Sequence, residues 1–249
     1  MSRNRRRSAR APIAAAPARV RHAAIDALRG IGICLMVAYH FTFDLAYFRV
    51  VRIDFNHDPF WLASRALIVT IFLSTVGMSL VLARHANASP QAFWRRIALI
   101  AACAILVTIA SYVTFPQTFI TFGVLHAIAV CSVLAAPLLR YPRTALALGA
   151  AIVALGTMVQ LPVFDQPWLN WVGMITHKPS TEDYVPIFPW LGVVLIGIAA
   201  GHAMLRPGRE ALAGMDRAAP GWLAWLGRHS LLIYMVHQPV LLGVLRVAL

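Results

Sequence analysis

The chain alternates long apolar runs with short polar connectors. A helical run of about twenty apolar residues matches the roughly 30 Å hydrocarbon core of a bilayer. Seven such runs can be read, at about 27–48, 61–82, 97–115, 119–139, 145–161, 187–205 and 230–248. The spacing predicts an all-α, polytopic membrane helix bundle of about seven transmembrane helices. The first run differs from the rest because its polar positions are ordered. Arg29, Ile33, Met36, His40 and Asp44 step by three or four, so they share one helix face. Asp26 stands beside Arg29 at one end of that face, and a connector with Arg49, Arg52, Asp54, His57 and Asp58 follows the other. Ionisable groups in or beside a span are costly and point to function by default. A His–Asp pair that only locks helices together fits the same spacing.

Composition agrees with the pattern. Of 249 residues, 60% are hydrophobic and 12% charged, about half the ~25% charged of a soluble domain. A soluble globular class is excluded. No polar stretch is long enough to fold separately, so 22–249 read as one transmembrane domain. Residues 1–21, rich in Arg, Ala and Pro, read as a disordered basic tail. The apolar run after it is too long for a signal peptide and lacks a clear cleavage site, so it is expected to be retained.

The net charge is +13. Its distribution argues for lipid headgroups over nucleic acid. Most of the 22 basic residues fall in the tail and in alternate connectors, among them Arg84, Arg95, Arg96, Arg140, Arg143, Arg206, Arg209 and Arg217. The opposite connectors hold Arg49, Arg52 and Lys178. This asymmetry predicts a cytoplasmic amino terminus and, with seven spans, an external carboxyl terminus. Cys34, Cys103 and Cys131 sit in apolar runs without a Cys-x-x-Cys pair, so neither a disulfide framework nor a metal site is implied.

Polar residues inside the runs are few. His126 lies in FGVLHAIAV, and His237 in LLIYMVHQP, two residues before Pro239, which cannot donate a backbone hydrogen bond. Arg65, one turn into the second run, can snorkel outward or pair with an outer carboxylate. His202 suits helix-end carbonyls. Gly77 and Ser79 allow close helix contact. Residues 221–226 read as interfacial, with Trp222 and Trp225 at headgroup depth. In the connector 162–186, Trp168, Trp171 and Tyr184 cluster near acids. Such aromatic faces suit a sugar, and an ordinary interfacial belt also explains them. Walker, H-E-x-x-H and G-x-S-x-G motifs are missing. Histidine with carboxylate on the outer side suits general-base activation of a hydroxyl or amine, or a proton relay.

Five motifs occur in order: Ile25-Asp26-x-x-Arg29-Gly30, Met36-x-x-x-His40-x-x-x-Asp44-Leu45, Phe122-Gly123-x-Leu125-His126, Phe188-Pro189-Trp190-Leu191-Gly192 and Ser230-x-x-x-Tyr234-x-x-His237-Gln238-Pro239. Together they resemble the heparan-α-glucosaminide N-acetyltransferase catalytic-domain family in its short bacterial form, within the broader transmembrane acyltransferases. The resemblance covers about 21–245. It implies a multi-pass protein of the bacterial inner membrane, surrounded by lipid and compatible with a homo-oligomer. It implies acyl transfer, acetyl above all, from cytoplasmic acyl-coenzyme A to an amino sugar or glycan on the opposite side, with no metal.

The resemblance also implies a catalytic histidine, and the polar residues already singled out complete an expected site around it. Spacing back from Gly77 makes His57 the match to the family's catalytic histidine, with Asp54 or Asp58 to orient it. His40 stands where the family has an asparagine, and His40 and Asp44 line the passage. Arg29 and Asp26, with His126 and His237, fall to acyl-coenzyme A. Arg65, Trp168, Trp171 and Tyr184 fall to the acceptor. Two other classes stay open. One is a proton-coupled permease or lipid flippase using His40, Asp44 and His126. The other is a non-catalytic membrane assembly partner.

Overall fold

A computed structural model describes residues 21–206 and 211–249. All but the last residue of the expected tail, and Arg209 of the last basic connector, lie outside the described residues. Among those described there are nine α-helices and no strand: α1 (Ala23–Tyr47), α2 (Pro59–His85), α3 (Pro90–Thr114), α4 (Val124–Ala135), α5 (Pro142–Met158), α6 (Ile187–Met204), α7 (Ala211–Ala218), α8 (Gly221–Arg228) and α9 (Ser230–Ala248). Local chemistry sets several starts. Asp58 accepts from the Phe60 N–H at 2.8 Å and Ser89 from the Ala92 N–H at 3.2 Å, each ahead of a proline at the first helical position.

The all-helical expectation holds. Five helices, α1, α2, α3, α6 and α9, are long and apolar enough to cross a bilayer. The fourth and fifth expected runs form shorter apolar helices, Val124–Arg140 (α4 with a 3-10 continuation) and Pro142–Met158. The reason is local. Residues 118–122 pair with the distal loop instead of coiling, through hydrogen bonds from Glu182 to Thr118 and from Val185 to Phe122. The chain also leaves α5 at Val159 in an extended conformation.

The bundle end where α1 begins is called proximal here, and the end holding the His57 turn and the loop 159–186 is called distal. Helices α2 and α6 form the centre, and α5 packs on α6. Their axes come close through glycine: a Cβ on Gly77 would overlap the Val194 carbonyl, and Gly149 faces Gly192. Gly77 thus does what its size suggests. Ser79 does something else, taking a hydrogen bond from Arg29 of α1. Helix α8 lies across proximal α1 with equal intimacy, Gly227 against the Asp26 carbonyl and Gly30 against that of Leu223. Trp222 and Trp225 of α8 face outward, 63% and 52% exposed, as an interfacial segment requires. Helices α3 and α9 leave most of their apolar surface uncovered, including Leu106, Ile109, Val240 and Val244, as lipid-facing helices do.

Candidate functional site

In the distal half, α9 packs on α1 along the polar stripe, whose Ile33, Met36 and Asp44 are 2%, 2% and 1% exposed. The His40 and His237 rings meet edge to face, 4.8 Å between centroids. Each ring is held by its own helix. His40 Nδ1 lies 2.9 Å from the Met36 carbonyl and His237 Nδ1 2.6 Å from the Tyr234 carbonyl. A carbonyl can only accept, so Nδ1 is the donor in both, and each Nε2 presents a lone pair.

One turn along α1, Asp44 Oδ1 accepts from Gln238 Nε2 at 2.7 Å. Asp44 Oδ2, Gln238 Oε1 and His237 Nε2 are buried without a hydrogen-bond partner. All three are acceptors in this arrangement. An unmet buried acceptor costs about 1–3 kcal/mol. A group that brings N–H or O–H donors into this place satisfies them and meets two histidine bases.

A second layer holds the pair. The Tyr234 ring lies 5.5 Å from that of His237, and its hydroxyl is bonded to Asp183. Asp183 also accepts from the Val124 N–H at 2.9 Å, at the start of α4. Burial raises the Asp183 carboxyl above the usual carboxylate range, against the hydrogen bond from Val124 and the charge of Arg65. On the other flank Tyr39 meets His40 edge to face at 5.7 Å and packs on Phe55 and Trp61.

The other residues singled out from the sequence lie elsewhere. His57 is on the distal surface. Its Nδ1 is 2.8 Å from Asp54, with side chains 85% and 58% exposed. That hydrogen bond is the chief reason the Asp54 carboxyl is lowered. Asp54 therefore orients His57, while Asp58 caps α2. Arg29 and Asp26 are at the proximal end, bonded to each other at 2.9 Å. His126 has both ring nitrogens engaged, Nδ1 accepting from the Gly123 N–H at 3.2 Å and Nε2 facing Thr108 Oγ1 at 3.3 Å. His202 meets the Leu139 carbonyl at 2.9 Å, the helix-end role expected of it.

Arg65 and Tyr184 line a distal cavity of about 310 Å³ between α2, α5, α6 and the loop. Gly173 shapes its wall: its φ is +101°, and a Cβ would overlap the Phe188 carbonyl. Trp168 and Trp171 are outside the cavity, 68% and 39% exposed, with Trp171 donating to the Trp168 carbonyl at 2.9 Å. A second cavity of about 340 Å³ opens toward the proximal end between α3 and α9. It is lined by Cys103, Leu231, Leu232 and Met235, with Arg228 and His229. Among the described residues no three His, Cys, Asp or Glu gather as a metal site would need.

Sequence reasoning gave no separate role to Gln238 or Asp183. Gln238 had a signal, being a polar amide in an apolar run next to His237. Asp183 had none, since its partners Val124, 59 residues away, and Tyr234 both lie far from it in the chain.

The family model described as "Heparan-alpha-glucosaminide N-acetyltransferase, catalytic" matches residues 21–239. No curated protein and no solved structure matches the chain. The matched range contains the whole distal constellation, from His40 to Gln238.

Proposed function

Because the chain belongs to the heparan-α-glucosaminide N-acetyltransferase catalytic family, whose members are membrane acetyltransferases, we propose that it moves an acetyl or related acyl group from acyl-coenzyme A to a hydroxyl or amine. In this reading the proximal end is cytoplasmic, α4 and α5 are the short members of seven crossings, and the acceptor, an amino sugar or glycan, arrives at the distal end. One observation carries the reading: the buried, donor-hungry cluster of His237, Asp44 and Gln238 beside His40.

His40 is the less buried of the two histidines and serves as general base. Its Nε2 takes the proton of the acceptor O–H or N–H as that atom attacks the thioester carbonyl carbon. The new C–O or C–N bond forms, the C–S bond breaks, and the histidine returns its proton to the departing coenzyme A thiolate. His237 Nε2, within reach of the same space, shares the proton. Asp44 Oδ2 and Gln238 Oε1 take further acceptor N–H or O–H groups and so fix its orientation. Arg228 at the proximal cavity offers positive charge to the coenzyme A phosphates. The surface position of His57 weighs for the buried pair as the base, with His57 and Asp54 left at the entrance.

Proteoliposomes with acetyl-coenzyme A on one side and glucosamine on the other test this. Coenzyme A release together with N-acetylglucosamine on the opposite side is expected. Glucosamine uptake without thioester consumption would replace the reading with a permease, and release of neither product would end it.

A further inference from the structure

Among the described residues Arg65 is the only charged one lining the distal cavity. Among the described residues it makes neither a hydrogen bond nor an ion pair, so the donors of its guanidinium fork are uncommitted. A cation one turn into an apolar helix is costly without a partner. Asp183 and Lys178 are near enough to feel its charge, yet neither touches it. Asp183 is held by Val124 and Tyr234, and Lys178 donates to Asn56 Oδ1 at 3.0 Å. The remaining polar wall is Gln160, with Tyr184, Phe188 and Trp190 as flat aromatic surfaces. The volume is at the low end of the about 300–1,000 Å³ typical of small-molecule sites. The charge of Arg65 also reaches groups that hold the histidine pair. Arg65 acts on Tyr39, which packs on His40, and on Asp183, which bonds the Tyr234 that packs on His237.

We infer that this cavity is the acceptor subsite and that it selects a small sugar bearing a carboxylate or phosphate, which Arg65 holds. The inference rests on the acyltransferase reading for the word acceptor, and on the cavity itself for the anion. A bidentate guanidinium–anion pair supplies the selectivity, and the aromatic wall takes the ring face.

Calorimetric titration of the purified full-length protein in phosphatidylcholine nanodiscs tests it, with glucosamine 6-phosphate, muramic acid and glucosamine as probes. The two acidic sugars should bind at least about tenfold more tightly than glucosamine, the scale of one charge-assisted hydrogen-bonded pair. Arg65→Gln should erase the difference. Arg65→Lys, which keeps the charge and loses the fork, should keep part of it, and it carries the test if the glutamine variant does not fold. Equal affinities for the three sugars, no binding of any, or a preference that persists in Arg65→Gln would each overturn the inference.

Nanodiscs containing phosphatidylglycerol separate the two sources of an anion. Unchanged affinity for glucosamine 6-phosphate supports the sugar. Competition by the anionic lipid that disappears in Arg65→Gln would overturn the sugar assignment in favour of a headgroup. Acetyl transfer is scored in parallel. Anion preference without transfer keeps the subsite and removes the acyltransferase reading. Transfer to neutral and acidic sugars alike, indifferent to Arg65, removes the subsite and keeps the acyltransferase.

Discussion

Helix α1 carries charged groups at both ends, and the two ends are built in opposite ways. At the proximal end Asp26 and Arg29 are bonded at 2.9 Å, Arg29 reaches Ser79 of α2, and Gly227 of α8 presses on the Asp26 carbonyl. The ions there have partners, and the result is a joint between three helices. At the distal end Asp44, His237 and Gln238 leave three buried acceptors unmatched beside a second histidine. Protein interiors match the great majority of buried polar groups, so an unmatched cluster needs a reason such as catalysis. A charge in a span is thus a weak sign of chemistry by itself, because the same residue types also make structural locks.

The largest effect should come at the distal end. If the buried pair is the base, His40→Ala loses between about 10² and 10⁴ in turnover, the scale of a lost general base, while His57→Ala stays within a few-fold of the parent. Coenzyme A release by the purified variants measures both. A dead His57→Ala beside an active His40→Ala would move the chemistry to the surface pair that the family resemblance indicated.

The proximal end should answer in stability. Arg29→Met leaves Asp26, 8% exposed, without its cation, which costs about 3 kcal/mol for a buried pair. Denaturant titration in detergent micelles should show that loss, with the remaining folded protein turning over at the parental rate. A raised KM for acyl-coenzyme A with stability intact would instead return Arg29 to the cofactor. A smaller loss, about 2 kcal/mol by the usual cost of overpacking, is expected for Gly227→Ala, whose new Cβ meets the Asp26 carbonyl. The same titration checks it.

The smallest effect concerns the loop that walls the distal cavity. Asp165 accepts from the Thr176 hydroxyl and from the Thr176 N–H at 2.7 Å. The hydroxyl bond foremost lowers its carboxyl to about 2 from 3.8. A depressed carboxylate stabilises the folded loop above its unfolded value and stops doing so as pH falls through the folded one. Protection of the Leu161 amide, bonded to the Met174 carbonyl at 2.8 Å, should therefore weaken between about pH 4 and pH 2. Hydrogen exchange reads this directly, and Asp165→Asn should remove the pH dependence.

Apolar runs of bilayer length determined the helical class from the sequence by itself, since backbone groups in lipid must be satisfied within the helix. The three-and-four spacing likewise placed Arg29, Met36, His40 and Asp44 on one face of α1, because helix periodicity is local. Ordered motifs pointed to the acetyltransferase family, and the match over residues 21–239 bears that out. Tertiary structure decided the rest. Nothing in the chain order brings His237 to His40 or Gln238 to Asp44, 194 residues apart, because helix pairing depends on packing across the bundle. The same is true of Asp183, whose hold on α4 and on Tyr234 exists only once the distal loop has folded back. Whether a polar residue in a span is a lock or a reactive group depends on whether its last hydrogen bond is met, and that is settled by neighbours distant in sequence.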